Sequence, residues 1–110
     1  MSVEDMTKES YQKVKESSMP TVIDFWASWC GPCQMMLPVF EETSKEYEGQ
    51  LNFARVNVDS ERELAAAFGV RGIPTLVLIN EGKEMGRFSG FMPKEALMQK
   101  IDAIVSGSSE

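Results

Sequence analysis

Two cysteines separated by two residues are the part of this sequence best suited to chemistry. Cys30 and Cys33 are the only cysteines among 110 residues, and they follow an apolar run that ends at Ala27. Such a pair could be half of a metal site, a structural disulfide, or a reversible dithiol–disulfide couple. The function of the chain depends on which of the three it is.

Ligand counting and loop length weigh against the first two readings. A structural zinc ion needs about four ligands, and this chain has no histidine and no third cysteine. We therefore expect no metal site. A disulfide that closes a short loop removes little freedom from the unfolded chain, so it would stabilise the fold weakly. A reversible redox couple is the reading that remains.

The position of the pair also favours redox chemistry. It lies between a predicted buried strand and a predicted helix, where unpaired backbone N–H groups and the helix dipole favour a thiolate, the attacking species in disulfide exchange. We expect Cys30 to be the exposed nucleophile. Cys33 falls one turn further into the helix, so we expect it to be more buried and to resolve a mixed disulfide.

The elements that must position the pair alternate between helix and strand. A short strand over residues 3–6 is an optional first element. Otherwise the patterns predict strands over residues 21–27, 51–58, 75–79 and 85–89, and helices over residues 7–17, 32–47, 61–69 and 93–105. Helix-linked strands favour parallel pairing and a hairpin adds antiparallel pairing. The predicted fold class is therefore α/β, a mixed sheet between helices.

Several local predictions follow from the same patterns. Thr21 to Ala27 shows almost no alternation, which indicates a strand buried on both faces. Pro38 should kink the helix that follows the cysteines. Ser60 to Glu63 has the pattern of a capping box. Two sets of residues should face the core: Met36, Phe40, Thr43 and Tyr47 in the second helix, and Leu97, Ile101, Ile104 and Val105 in the last.

Length and charge limit the classes of protein to consider. A chain of 110 residues with 43% apolar residues fits one globular domain, residues 1–110, with 106–110 as a frayed tail. The net charge of −6 argues against nucleic acid as a partner and fits a monomer. The apolar runs are too short to span a membrane, and no hydrophobic leader is visible. A cytoplasmic location is the default expectation.

Beyond the cysteines, the chain resembles the thioredoxin family. The resemblance covers roughly residues 3–105 and becomes specific through motifs in the family's order and spacing. These motifs are Asp24-Phe25-Trp26-Ala27, Trp29-Cys30-Gly31-Pro32-Cys33, Pro38, Gly72-Ile73-Pro74-Thr75 and Gly90. The family fold, a central mixed sheet flanked by helices on both faces, agrees with the predicted element order.

The resemblance implies a protein-disulfide reductase. Cys30 would attack a disulfide in a client protein, and Cys33 would then release the reduced client and leave Cys30 and Cys33 oxidised. A thioredoxin reductase would restore the dithiol, and the redox-active disulfide would be the only cofactor. By resemblance, Gly31 and Pro32 tune the pair toward reduction. The alternatives are a protein-disulfide oxidase or isomerase, or a thioredoxin-fold binding subunit whose cysteines are incidental.

Asp24 stands out because a carboxylate in a buried strand is costly unless it is paired or protonated. We expect burial to raise its pKa. By resemblance, Asp24 lies beneath the second cysteine and relays a proton; the alternative is a side chain that turns outward. Arg55 stands where the family often has a lysine. Since arginine keeps its charge, we expect Arg55 to offset part of the shift at Asp24.

The remaining candidate residues would hold the client. By resemblance, the Ile73–Pro74 bond is cis and faces the cysteines, although a proline at the first residue of a strand is ordinary by itself. We call Trp29, Ile73, Gly90 and Phe91 the docking rim. Packing under the last helix is an equal alternative for Phe91 and its neighbour Met92, and Met35 is expected to pack rather than bind.

Overall fold

A computed structural model describes residues 3–107, and in this range the chain forms five strands and four helices. The predicted order is confirmed, including the optional first strand. The elements are β1 (Val3–Asp5), α1 (Lys8–Val14), β2 (Thr21–Trp26), α2 (Gly31–Glu46), β3 (Asn52–Asn57), α3 (Arg62–Ala67), β4 (Thr75–Asn80), β5 (Lys83–Ser89) and α4 (Lys94–Val105).

The five strands form one mixed sheet in the order β1-β3-β2-β4-β5. The first three neighbours pair in parallel, while β4 pairs antiparallel to both β2 and β5. Glu81 and Gly82 both have positive φ, as a two-residue hairpin turn between β4 and β5 requires. This arrangement confirms the predicted mixed sheet and places β2 at its centre.

Two apolar layers cover the faces of the sheet, because side chains alternate along each strand. On one face, Val22 of β2 belongs to a cluster with Met36 of α2 and Leu97 of α4. On the other face, Ile23 belongs to a cluster with Leu64 of α3, against which α1 packs. Helices on both faces of the sheet are therefore confirmed, and β2 is buried on both sides.

Helix α2 carries the predicted core stripe. Met36, Phe40 and Thr43 are buried, and Tyr47, the residue that caps the helix, is buried as well. The helix continues through Pro38 without a break. It begins directly after the loop that follows β2, and this places the cysteine pair at its amino end.

The predicted capping box at α3 is wrong. The helix is capped by Glu61, whose side chain makes no cap hydrogen bond. Instead, the side-chain oxygen of Asn57 accepts hydrogen bonds from the backbone N–H groups of Asp59 and Ser60, at 2.9 and 3.3 Å. The Ser60 hydroxyl donates back to the Asn57 carbonyl, so it does not serve the helix. A local turn therefore outcompetes the cap, as Asn and Ser side chains often allow.

The end of α4 also differs from the prediction. Leu97 and Ile101 are buried and Ile104 packs partly against the same cluster, but Val105 is 41% exposed. Val105 follows Ile101 by four residues and lies at the edge of the stripe, where the packed face ends. We correct Val105 to an exposed residue.

The predicted frayed tail begins too early. Ser106 donates its N–H to the Asp102 carbonyl at 2.9 Å, and Gly107 donates to the Ile104 carbonyl at 3.1 Å. Gly107 has a φ of 81°, the left-handed conformation in which glycine commonly ends a helix. Residues 106 and 107 are thus part of a hydrogen-bonded helix end, and residues 108–110 lie outside the described range.

Candidate active site

Cys30 and Cys33 form a disulfide at the amino end of α2, with their Cα atoms 5.2 Å apart. Cys30 is the N-cap residue, and its Sγ accepts a hydrogen bond from the Cys33 N–H at 3.2 Å. The sulfur therefore lies where the first N–H groups of the helix point. Negative charge on Cys30 would be stabilised there after reduction.

The two cysteines differ in exposure less than predicted. Cys33 is completely buried, but Cys30 is only 7% exposed, so the description of Cys30 as an exposed residue is wrong for the disulfide form. Trp26, Val58 and Ile73 pack against the pair and cover most of it. The predicted difference in exposure keeps its direction, because Cys30 is the cysteine of the pair that reaches the surface.

A loop with a cis peptide bond lies against Cys30. The Ile73–Pro74 bond is cis, and the Ile73 carbonyl oxygen lies 3.8 Å from Cys30 Sγ. The Thr75 hydroxyl donates to the Gly72 carbonyl, and the Gly90 N–H donates to the Pro74 carbonyl at 2.9 Å. These bonds hold the loop beside the disulfide.

Two aromatic side chains of the docking rim are exposed. Trp29 is 69% exposed, and its indole N–H donates to Asp59 at 2.8 Å, which fixes the orientation of the ring. Phe91 is 40% exposed, whereas Met92 packs partly against the core, so the packing alternative holds for Met92 only. Met35 is 57% exposed, and the expectation that it packs is wrong.

Asp24 lies in the middle of the sheet and is fully buried. Neither of its carboxylate oxygens has a hydrogen-bond partner within the described part of the chain. Burial raises the pKa of Asp24 to about 7, and the positive charge of Arg55 opposes part of that shift. A carboxyl group with such a pKa can gain or lose a proton near neutral pH.

Alternation along β2 places Asp24 on the sheet face that α2 covers. Val22, two residues earlier, packs against that helix, and residues two apart in a strand share a face. Asp24 and the buried Cys33 therefore belong to the same layer of the molecule. This is the side on which a proton relay to Cys33 would have to lie.

Arg55 is the residue opposite Asp24 on β3. Its Nε donates to Asp5 of β1 at 2.8 Å, and its guanidinium lies 6.0 Å from the centre of the Trp26 ring. The sequence carries no signal for the contact between Asp5 and Arg55, because the two residues are fifty positions apart. Their neighbourhood depends on the pairing of β1 with β3.

The first turn of α2 contains no charged side chain. Gly31 and Pro32 are exposed, with Pro32 at the start of the helix, where its missing N–H costs nothing. The Gln34 side chain donates to the Ser28 carbonyl at 2.9 Å, which ties the helix to the preceding loop. Within residues 3–107, no group of three or more His, Cys, Asp or Glu side chains could hold a metal ion.

The thioredoxin family model matches residues 2–103 of the chain. The chain belongs to the thioredoxin family. A thioredoxin from Pyropia yezoensis is 37% identical over 107 residues, which are 96% of this chain and all of that protein. Thioredoxin 1 from Synechococcus elongatus is 41% identical over 91 residues, 83% of this chain and 85% of its own length.

Family membership and the disulfide-bonded pair together define the class of reaction. The chain is a thiol–disulfide oxidoreductase, a member of the thioredoxin family with Cys30 and Cys33 as its redox-active pair. None of the helices in the described range is long and apolar enough to cross a membrane.

Proposed function

We propose that the chain is a protein-disulfide reductase whose dithiol is restored by a thioredoxin reductase. The observation that carries this proposal is the placement of Cys30. It caps α2, faces the cis Ile73–Pro74 loop, and is the cysteine of the pair that reaches the surface. A nucleophile with a stabilised thiolate, a buried partner and an adjacent backbone edge has what disulfide exchange with a protein requires.

The exchange has two steps. The Cys30 thiolate attacks one sulfur of a client disulfide, so that a mixed disulfide forms and the first client thiolate leaves. The Cys33 thiolate then attacks Cys30, forms the Cys30–Cys33 disulfide and releases the second client thiolate. Two electrons pass from the dithiol to the client, and the two released thiolates take up protons.

Asp24 is proposed to manage one of these protons. Cys33 is buried, so its thiol needs a nearby base before it can attack as a thiolate. Asp24 shares the layer beneath α2 and has a pKa of about 7, with Arg55 as the modulating charge. It can therefore accept the Cys33 proton in the second step and return a proton when the disulfide is reduced.

The docking rim is proposed to bind an extended client segment. Trp29 and Phe91 offer exposed rings, and Gly90 has a φ of 95° and open space where a side chain would be. The backbone at Ile73 would pair with the client strand, as in strand addition. Gly31 and Pro32 place no charged side chain in the first turn of α2, and we propose that this suits a reductant.

We further propose that the chain acts as a monomer in the cytoplasm and needs no cofactor beyond its own disulfide. Its net charge of −6 disfavours self-association and binding to nucleic acid. Its partners would then be client proteins with disulfides and a thioredoxin reductase.

An insulin-reduction assay with dithiothreitol tests the reductase proposal. The wild type should accelerate the precipitation of insulin chains, and Cys30→Ser should lose this acceleration completely, since no nucleophile remains. Met35→Ala is a matched control, because it changes an exposed neighbour on α2 and should retain most of the rate. Equal activity of Cys30→Ser and wild type would overturn the proposal. A reduction potential as high as that of strong oxidants would indicate an oxidase instead.

A further inference from the structure

Three charged side chains form a row across three strands of the sheet. Asp5 on β1 is opposite Arg55 on β3, and Arg55 is opposite Asp24 on β2. Directly opposed residues share a face of the sheet, so all three side chains lie on the face that α2 covers. The row runs from the exposed edge strand to the buried centre.

The contacts along the row are uneven. Arg55 donates from Nε to Asp5 at 2.8 Å, while Asp24 accepts no hydrogen bond from Arg55 or from any other described residue. The Arg55 side chain is 24% exposed and that of Asp5 is 79% exposed. The arginine is therefore directed toward the outer carboxylate, although its strand position lies between the two acids.

The ring of Trp26 also lies beside Arg55, with its centre 6.0 Å from the guanidinium, at the limit of a cation–π contact. Asp5, Arg55 and Trp26 also line one cavity of about 270 Å³. A guanidinium in such a cavity has room to change position when its outer partner is removed. The salt bridge to Asp5 is thus the contact that decides where the charge lies.

We infer that Asp5 is a positioning residue for the redox reaction: it holds the Arg55 guanidinium toward the sheet edge and neutralises part of its charge, and it thereby limits the positive charge felt by Asp24. The inference rests on the proposed function, because it concerns the proton relay of the same site. Asp5 touches neither cysteine and acts only through Arg55.

The other groups that face this row are few. From α2, the buried residues above it are Cys33 and Met36, and β4 contributes Leu76, so none of these adds a fixed charge. Glu61 lines the same cavity, but its carboxylate accepts a hydrogen bond from the Lys8 N–H at 3.0 Å. Asp5 is the acid that contacts Arg55 directly.

Asp5→Asn tests the inference. With its carboxylate gone, Arg55 keeps its full charge and can move inward, so the anionic form of Asp24 is favoured. We expect the pKa of Asp24, followed by the carboxyl carbon signal in an NMR titration of the oxidised protein, to fall by about half a pH unit. The fall should shrink at high salt, because Asp5 is exposed.

Glu4→Gln is the matched control. It removes one negative charge from the same strand, but Glu4 is opposite Ala54, which packs on the other face of the sheet. Its effect on the Asp24 pKa should be less than half that of Asp5→Asn. Asp5→Glu keeps a carboxylate within reach of Arg55, so the pKa of Asp24 should stay near its wild-type value in this variant.

A double-mutant cycle with Arg55→Leu separates action through Arg55 from direct repulsion. Asp5 and Asp24 lie two strand spacings apart, about 10 Å, which exceeds the screening length of about 8 Å at physiological salt. In the Arg55→Leu background, Asp5→Asn should therefore lose most of its effect. An unchanged effect there, or equal shifts in Asp5→Asn and Glu4→Gln, would overturn the inference.

The outcome is independent of the reductase test. The titration uses the oxidised protein without a client, and backbone NMR spectra show whether each variant is folded. If Asp5→Asn alone leaves β1 disordered, Asp5→Ser carries the test, because it also removes the carboxylate, and an Asp24 pKa equal to that of the wild type would refute the positioning role. If the wild type failed to reduce insulin but Asp5→Asn still lowered the pKa of Asp24, the proposed function would be refuted and the electrostatic coupling would stand.

Discussion

Asp24 is a buried residue that destabilises the fold. A carboxyl group without a hydrogen-bond partner in the centre of a sheet costs free energy, and the surrounding packing must offset that cost. The penalty falls on the ionised form, and this is why burial raises its pKa from 3.8 to about 7. The same burial brings the pKa of Asp24 near neutral pH, which the proposed proton relay to Cys33 requires.

The destabilisation by ionised Asp24 should make the free energy of unfolding depend on pH. Since the pKa of Asp24 is higher in the folded state, the folded protein holds the proton more tightly, and stability falls as pH rises from about 4 to about 7. Asp24→Asn should abolish this fall and stabilise the protein above pH 7. The gain has an upper bound of about 4 kcal/mol, at about 1.4 kcal/mol per pH unit. Urea unfolding at pH 5 and pH 8 measures it. Equal stability of variant and wild type at pH 8 would show that Asp24 is not destabilising.

At the scale of single residues, the sequence predicts what depends on residue type and local spacing. The cysteine pair at a helix start and the buried position of Asp24 could be inferred because a strand and a helix were recognisable around them. The low exposure of Cys30 could not, since it depends on Ile73, which packs against it from another part of the chain. The salt bridge between Asp5 and Arg55 likewise depends on strand pairing.

At the scale of elements, α2 must hold the cysteines and also anchor the sheet. Its far end is tied to α4 by Tyr47, whose hydroxyl donates to Asp102 at 2.7 Å while its ring stacks on Phe53. Cross-element contacts of this kind are not visible in periodicity. Periodicity did predict the buried stripe of α2. The capping-box pattern failed at the start of α3, because the Ser60 hydroxyl donates to the Asn57 carbonyl and does not cap the helix.

The tie between α2 and α4 gives a prediction about stability. Tyr47→Phe removes the hydroxyl and keeps the ring, so it should lower the free energy of unfolding by about 1 kcal/mol without affecting insulin reduction, because the tie lies far from the cysteines along α2. Tyr11→Phe, the same change in a ring that packs edge-on against Phe68, is the control and should cost less. Urea denaturation measures both. A loss of activity in folded Tyr47→Phe would contradict this division of α2 into an anchoring end and a reactive end.

At the scale of the whole molecule, the sheet brings distant segments to one place. The carboxyl end of β2, the start of α2 and the loop before β4 meet around the disulfide, and the residue after β5 is hydrogen-bonded to that loop. The alternation of helices and strands predicted a mixed sheet with helices on both faces. The strand order β1-β3-β2-β4-β5 needs pairings between segments far apart in the chain, which local patterns do not encode.

The central claim is that Cys30 and Cys33 have unequal tasks, and trapping the mixed disulfide tests it most directly. Cys33→Ser, reduced and mixed with a disulfide-containing protein, should form a stable covalent adduct through Cys30, detected by intact-mass spectrometry and located by peptide mapping. Cys30→Ser should form far less adduct, because Cys33 is fully buried. Equal adduct yields from the two variants, or an adduct formed mainly through Cys33, would contradict the account.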